Sequence, residues 1–269
     1  MKNRFIKMLC LLVLGISLIQ CSRNNEPNFT SPKVKIEAKD IENSKYNLVV
    51  PITRRDKNNS KIYCGTGFIV GPNTVLTNKH ITDTDPDDHI LNPEKELFVE
   101  LNKNGTTTTF EIDKIIPFDN TDGVYGIEGI NVDLSVIQVK PKDGKNLSDS
   151  FGSFEIAALE EIQKIKVGDT IEYAGYPMLK QPDLFYDVAV ITTLYGSTKP
   201  TIDNTDTIFL HNTIFFNSIT ESGHSGSPIL KDSKVVGIVW GAHAEKGIGY
   251  AHLFNEVSLD FINKILSNK

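Results

Sequence analysis

From about residue 46 the chain is a succession of short runs rich in Val, Ile, Thr, Phe and Tyr, separated by turn formers. That pattern admits few folds. Asn47–Ile52, Ile62–Val70, Thr74–Thr77, Leu97–Leu101, Thr107–Ile116 and Leu134–Val139 read as six strands. Asp56-Lys57-Asn58-Asn59-Ser60, Gly71-Pro72-Asn73 and Asn102-Lys103-Asn104-Gly105 punctuate them. A polar linker follows over 141–150. Six more candidate strands come after it: Thr170–Ala174, Phe185–Leu194, Ile208–Ile219, Pro228–Leu230, Val235–Trp240 and Ile248–His252. Only the end has helical spacing, with Val257, Phe261, Ile262, Ile265 and Leu266 on one face and Asn255 available as a cap. The expected fold is all-β: two tandem six-stranded antiparallel barrels, about 46–140 and 151–254, and a C-terminal helix over 255–267.

The amino terminus has a different character. Lys2, Arg4 and Lys7 precede an apolar run from Met8 to Ile19, which ends at Leu18-Ile19-Gln20-Cys21. The run is short for a bilayer span and has the layout of a secretory signal over residues 1–21. Cys21 at the cleavage point resembles the bacterial lipobox, although Gln20 replaces the small residue usual before that cysteine. The resemblance implies a diacylated Cys21 and attachment to a membrane surface; the alternative is an ordinary secreted chain with an incidental cysteine. Residues 22 to about 45 are polar and read as a tether. Of three cysteines, Cys10 leaves with the signal and Cys21 carries lipid, so Cys64 remains as a single thiol and the exported domain has no internal disulfide. Removing three of 28 basic residues leaves 25 against 34 acidic ones, a formal charge of −9. Nothing in that balance calls for a nucleic-acid partner.

Three segments carry chemistry. Gly65-Thr66-Gly67-Phe68-Ile69-Val70-Gly71-Pro72-Asn73-Thr74-Val75-Leu76-Thr77-Asn78-Lys79-His80 is an apolar hairpin that delivers His80 at its end. On its own, His80 is more often a satisfied loop or core histidine than a catalytic one. Asn131-Val132-Asp133-Leu134-Ser135-Val136-Ile137 places Asp133 at the start of an apolar strand, where a buried carboxylate needs a partner. Gly223-His224-Ser225-Gly226-Ser227-Pro228 sets a hydroxyl on a tight glycine-flanked turn before another apolar strand. No cofactor is required, and the six histidines show no metal-ligand spacing. His89, after the acidic stretch Thr82-Asp83-Thr84-Asp85-Pro86-Asp87-Asp88, reads as part of a solvated loop.

The order His80, Asp133, Ser225, split between the two halves, resembles the chymotrypsin-like serine proteases, whose triad assembles between two barrels. Val75-Leu76-Thr77-Asn78-Lys79-His80, Ala174-Gly175-Tyr176-Pro177, Ser225-Gly226-Ser227-Pro228 and Val235-Val236-Gly237-Ile238-Val239-Trp240-Gly241 are similar to the staphylococcal glutamyl endopeptidases and exfoliative toxins. The resemblance covers roughly residues 46–255. It implies a serine endopeptidase acting on protein or peptide substrates, with Ser225 as nucleophile, His80 as base and Asp133 orienting His80. The N–H groups of Gly223 and Ser225 would form the oxyanion hole, and Ile219, Thr220, Val239, Trp240 and Gly241 the substrate pocket.

Two departures from that family matter. His224 stands where trypsin-like zymogens carry an aspartate that receives a freed terminal amine, so activity is expected without processing beyond signal removal. Thr220 matches the threonine of the glutamyl pocket, but Val239 replaces its histidine; His243 is the nearby residue that could substitute. A small or apolar residue before the scissile bond is therefore expected, with Glu as competitor. The competing readings are a high-temperature-requirement-like protease and a retired protease fold serving as a surface binding lipoprotein.

Overall fold

The computed structural model describes residues 33–56, 58–83, 92–103, 106–118, 133–195 and 212–267. The signal, Cys21 and His89 lie outside the described residues. Among these residues no helix is long and apolar enough to cross a membrane.

A short strand, β1 (Val34–Ile36), precedes the first barrel. That barrel comprises β2 (Val49–Arg55), β3 (Lys61–Gly71), β4 (Thr74–Thr77), β5 (Leu97–Lys103), β6 (Thr106–Pro117) and β7 (Ser135–Val139), closed in the order β2-β3-β4-β7-β6-β5. Closure comes from β2 meeting β5, with Ile52 opposite Val99. The second barrel comprises β8 (Thr170–Gly175), β9 (Leu184–Tyr195), β10 (Thr213–Asn217), β11 (Pro228–Lys231), β12 (Lys234–His243) and β13 (Ile248–Leu253). Its order is β9-β10-β13-β12-β11-β8, and β8 returns to β9. Closing each sheet on itself leaves the ring strands little free edge, and the start of β9, beyond its pairing with β10, is where β1 adds. Ile52, Phe68, Leu76, Val99 and Ile137 are fully buried in the first barrel; Ile214, Phe216, Ile229, Ile238 and Ala251 are fully buried in the second.

All twelve strands expected from composition are present, with small shifts at their ends. The run expected over Ile208–Ile219 forms a strand over Thr213–Asn217, and residues 208–211 lie outside the described residues. The 141–150 linker is tied down by its own residues. Leu147 is fully buried, its N–H donates to Asn73 Oδ1 at 3.0 Å, and Asn73 Nδ2 donates to Asn146 Oδ1 at 2.7 Å.

The tether expected over 22–45 requires correction from residue 33 onward. β1 pairs antiparallel with β9, Val34 opposite Tyr186, and Ile36, Ile41 and Tyr46 are buried. Three residues with alternating Val and Ile give a strand signal too short to stand out of a polar background, yet they suffice to add to the side of a finished sheet.

Two helical segments matter here. α1 (Lys79–Thr82) is one turn at the end of β4. α2 (Glu256–Ser267) is capped reciprocally: Asn255 Oδ1 accepts from the Ser258 N–H at 3.0 Å, and Ser258 Oγ accepts from the Asn255 N–H at 2.9 Å. Leu259 and Ile262 are buried, and Phe261 meets Phe118 of the first barrel edge-on at 5.0 Å.

Candidate active site

Strand register brings the first two residues together. β4 and β7 run antiparallel with Thr77 opposite Ser135, so the chain leaving β4 passes the chain arriving at β7. His80 is thereby set beside Asp133. His80 Nδ1 lies 2.5 Å from Asp133 Oδ2, and the His80 N–H donates to Asp133 Oδ1 at 3.0 Å. Asn78 Nδ2 donates to the Asp133 carbonyl at 2.7 Å, fixing the segment from behind. Burial pushes the Asp133 carboxyl up, but the bond to the His80 ring, the charge on that ring and the His80 N–H together hold it below its ordinary value. With Nδ1 directed at Asp133, Nε2 is the ring nitrogen left for another partner, the arrangement of a general base.

Ser225 comes from the second barrel, on the turn between β10 and β11. The turn is clamped by the first barrel through Thr66. The Thr66 N–H donates to the Ser225 carbonyl at 2.9 Å, and Thr66 Oγ1 donates to the Gly223 carbonyl at 2.7 Å while accepting from the Tyr176 N–H at 2.9 Å. Its neighbour Gly65 shows how closely the two barrels meet. A Cβ there would lie 2.4 Å from Ile81 Cδ1, on the turn carrying His80, and 3.3 Å from the Ser225 carbonyl oxygen. One glycine thus faces both turns.

The turn itself depends on two residues with positive φ, Gly223 at +97° and Gly226 at +85°. At Gly226 a Cβ would come within 1.9 Å of the Thr66 carbonyl oxygen. The Ser222 carbonyl accepts from the Met178 N–H at 2.7 Å, and in a trans peptide the Gly223 N–H points to the opposite side. Among the described residues neither the Gly223 nor the Ser225 N–H donates a hydrogen bond within the chain. Two free backbone donors on one turn can receive a developing oxyanion.

Residues 65–238 match the trypsin-like peptidase domain family. The chain belongs to that family. Among solved structures it is similar to a Glu endopeptidase in complex with MPD: the TM-score is 0.62 over 90% of this chain and 99% of that one, at 19% identity. At that identity the likeness is one of fold, and the fold is that of the chymotrypsin-like serine proteases.

In this trypsin-like chain the five residues expected to form the pocket are spread over two elements. Ile219 is 40% exposed, whereas Thr220 is buried with its hydroxyl 3.5 Å from that of Tyr173. Val239 is buried and serves the Ser225 turn through its backbone, accepting from the Gly226 N–H and donating to the Ser227 carbonyl, both at 2.9 Å. Trp240 stacks on His252 at 5.3 Å, and Gly241 is half-buried beside Tyr250.

Four further residues shape this site. Thr66 is one. His252, on β13, is half-buried and close enough to Asp133 to feel its charge; desolvation lowers its pKa to about 4 against that attraction. His224 is also buried, edge-on to Tyr173 at 5.5 Å, and its Nδ1 accepts from the Glu221 N–H at 3.2 Å. Burial and the positive charge of Lys33 lower His224 to about 3, so it is neutral. The ring is turned into the barrel against Tyr173. The last is Lys33 itself, whose ammonium lies 3.7 Å from Glu221 Oε2.

Proposed function

We propose that the chain is a serine endopeptidase that cleaves peptide bonds through an acyl-enzyme on Ser225. The observation that carries this reading is the meeting at Gly65, which faces Ile81, the neighbour of the Asp133-paired His80, and the carbonyl of Ser225 from the other barrel. A serine hydroxyl becomes an effective nucleophile when a neighbouring base takes its proton during attack. His80 is that base and then returns the proton to the leaving amine; Asp133 holds the ring and stabilises its charged form. The Gly223 and Ser225 N–H groups receive the oxygen of the tetrahedral intermediate. Water then attacks the ester in the same geometry and regenerates Ser225.

The preference is for a small or apolar residue before the scissile bond. Ile219 offers an apolar exposed surface, Thr220 turns its hydroxyl toward Tyr173, and Val239 adds no cation. A substrate carboxylate there would lack a charge-assisted bond, usually about 1.5–3 kcal/mol. The Glu endopeptidase named above is the counter-reading, and strict cleavage after Glu in a peptide library would favour it. Export and anchoring through a lipidated Cys21 complete the proposal, supported by the basic, apolar and cysteine order of residues 1–21. Metabolic labelling with a fatty-acid probe, lost in Cys21→Ser, tests the anchor.

The central test is a fluorophosphonate probe. It is expected to label the wild-type chain and not Ser225→Ala, with hydrolysis of a peptide library lost in the same variant. A wild-type chain that neither labels nor cleaves would favour a binding lipoprotein built on a retired protease fold.

A further inference from the structure

Lysine is seldom buried without a close partner, and Lys33 is an exception beside the nucleophile turn. Its side chain is 8% exposed. The Glu221 carboxylate lies at 3.7 Å, near enough for attraction and too far for a hydrogen bond; among the described residues neither Lys33 Nζ nor Glu221 Oε2 has a hydrogen-bond partner. β1 holds Lys33 in place: Val34 pairs with Tyr186, and Lys35 Nζ contacts Asp183 Oδ2 at 2.9 Å. The ammonium is thus delivered by a strand added to the second barrel, not by the turn it faces.

Glu221 is the first residue of that turn, and each of its groups is engaged. Its N–H and carbonyl both meet His224, its Oε1 accepts from Lys180 Nζ at 3.0 Å, and its Oε2 faces Lys33. The next carbonyl, Ser222, is fixed by the Met178 N–H, which sets the direction of the Gly223 N–H. The charged and titratable groups around Lys33 are Glu221, Lys180, Asp187 and His224. His224 is neutral, so the carboxylate of Glu221 is the turn's link to both lysines. A buried cation costs desolvation that an apolar side chain of similar length would avoid.

We propose that Lys33 is a positioning residue for the serine-protease reaction inferred above: its buried ammonium holds Glu221 and, through it, the shape of the Glu221–Gly223 turn that presents the oxyanion donor. Burial lowers this ammonium to about 8 against the pull of Glu221, with Lys180 pushing the same way and Asp187 opposing. Lys33 is therefore charged at neutral pH and loses its charge within an accessible alkaline range.

The test is kcat and KM from pH 6 to 10 for the wild type, Lys33→Arg and Lys33→Met, with melting temperatures alongside. The wild type is expected to lose kcat, not KM, as pH rises through about 8, because the oxyanion donor acts on the transition state. Lys33→Arg, which keeps its charge, moves that limb to higher pH. Lys33→Met lowers kcat about ten- to a hundredfold, short of the roughly 10²–10³-fold that outright loss of an oxyanion donor costs, and its melting temperature stays equal or rises. A Lys33→Met enzyme with wild-type kcat and the same alkaline limb overturns the proposal; so does a loss of kcat matched by a fall in melting temperature. If the wild type does not cleave peptides, the protease reading falls, and hydrogen exchange still decides the role of Lys33. Faster exchange of the Met178 and His224 amides in Lys33→Met supports it, and unchanged protection overturns it.

Discussion

Thr66→Val isolates the clamp between the barrels. Valine has nearly the shape of threonine, so no cavity opens, but the hydroxyl that serves two buried groups disappears. The Gly223 carbonyl loses a donor at 2.7 Å, and the Tyr176 N–H loses an acceptor at 2.9 Å. Thr66 is fully buried, and water has no obvious route to replace the lost bonds. Leaving a buried polar group unpaired costs about 1–3 kcal/mol, so two such groups should cost roughly 2–4 kcal/mol after local relaxation. Urea unfolding followed by the fluorescence of Trp240, the sole tryptophan, reads this directly. With a urea slope of about 2–3 kcal/mol/M for a domain of this size, the midpoint should fall by about 1 M. Because the Gly223 carbonyl is released at the same time, kcat should fall at least about tenfold even where the variant is fully folded. Thr66→Ser keeps both bonds and loses one methyl, which costs about 1 kcal/mol with activity retained. A valine variant within about 0.5 kcal/mol of the wild type and equally active would show that neither bond holds the turn, and the account of the clamp would be wrong.

Asp133→Asn removes the charge that orients His80 while leaving an oxygen for the His80 N–H. Its kcat at neutral pH should drop by about 10⁴-fold without unfolding, the effect such a change has in a Ser-His-Asp triad; a loss below tenfold would separate Asp133 from the chemistry. Acid should destabilise the fold through His224 and His252, whose folded pKa values of about 3 and about 4 lie below the ordinary 6.5. Both rings stay neutral in the fold and take up protons when unfolded, so their contribution is full above pH 6.5 and is lost as pH falls toward 4 and then 3. Each should add about 1.4 kcal/mol per pH unit to the slope in that window. Urea midpoints between pH 7 and 4 check this, and a flat profile would mean that the two rings are solvated.

The parts of the fold legible in the sequence are those whose signal is local. Leu134–Val139 or Pro228–Leu230 bury their side chains inside a closed sheet, and short β-branched runs between turn formers express that directly. α2 is legible for the same reason, through its apolar face and the Asn255 cap. β1 was not, because three residues joining the side of a barrel carry no pattern of their own. In the site, His80, Asp133 and Ser225 could be picked out because each sits in a distinctive segment and their order is informative. The residues that support them could not. Thr66 reaches a carbonyl 157 positions away, and His252 approaches Asp133 only after β12 and β13 are in register. Such roles belong to strand pairing between distant segments, and no window of sequence contains them.

The Ser225 turn gathers several costly features. Two backbone donors without partners among the described residues and a neutral buried histidine lie within a few residues of Ser225, and a buried ammonium faces Glu221 of the same turn. Each is unfavourable for a turn whose only task is to connect β10 and β11. A simple connector would bond its own N–H groups and leave its charges in water. Here the free N–H groups are kept free because the surrounding contacts fix the peptide planes from outside: Thr66 from β3, Met178 after β8, and Lys33 before β1. The donors can then meet a transient charge without rearranging, which is how fixed dipoles lower a barrier that mobile water would not. The turn is held by both barrels and by the strand that precedes them, so substitutions far from Ser225 in sequence should alter kcat before they alter the fold.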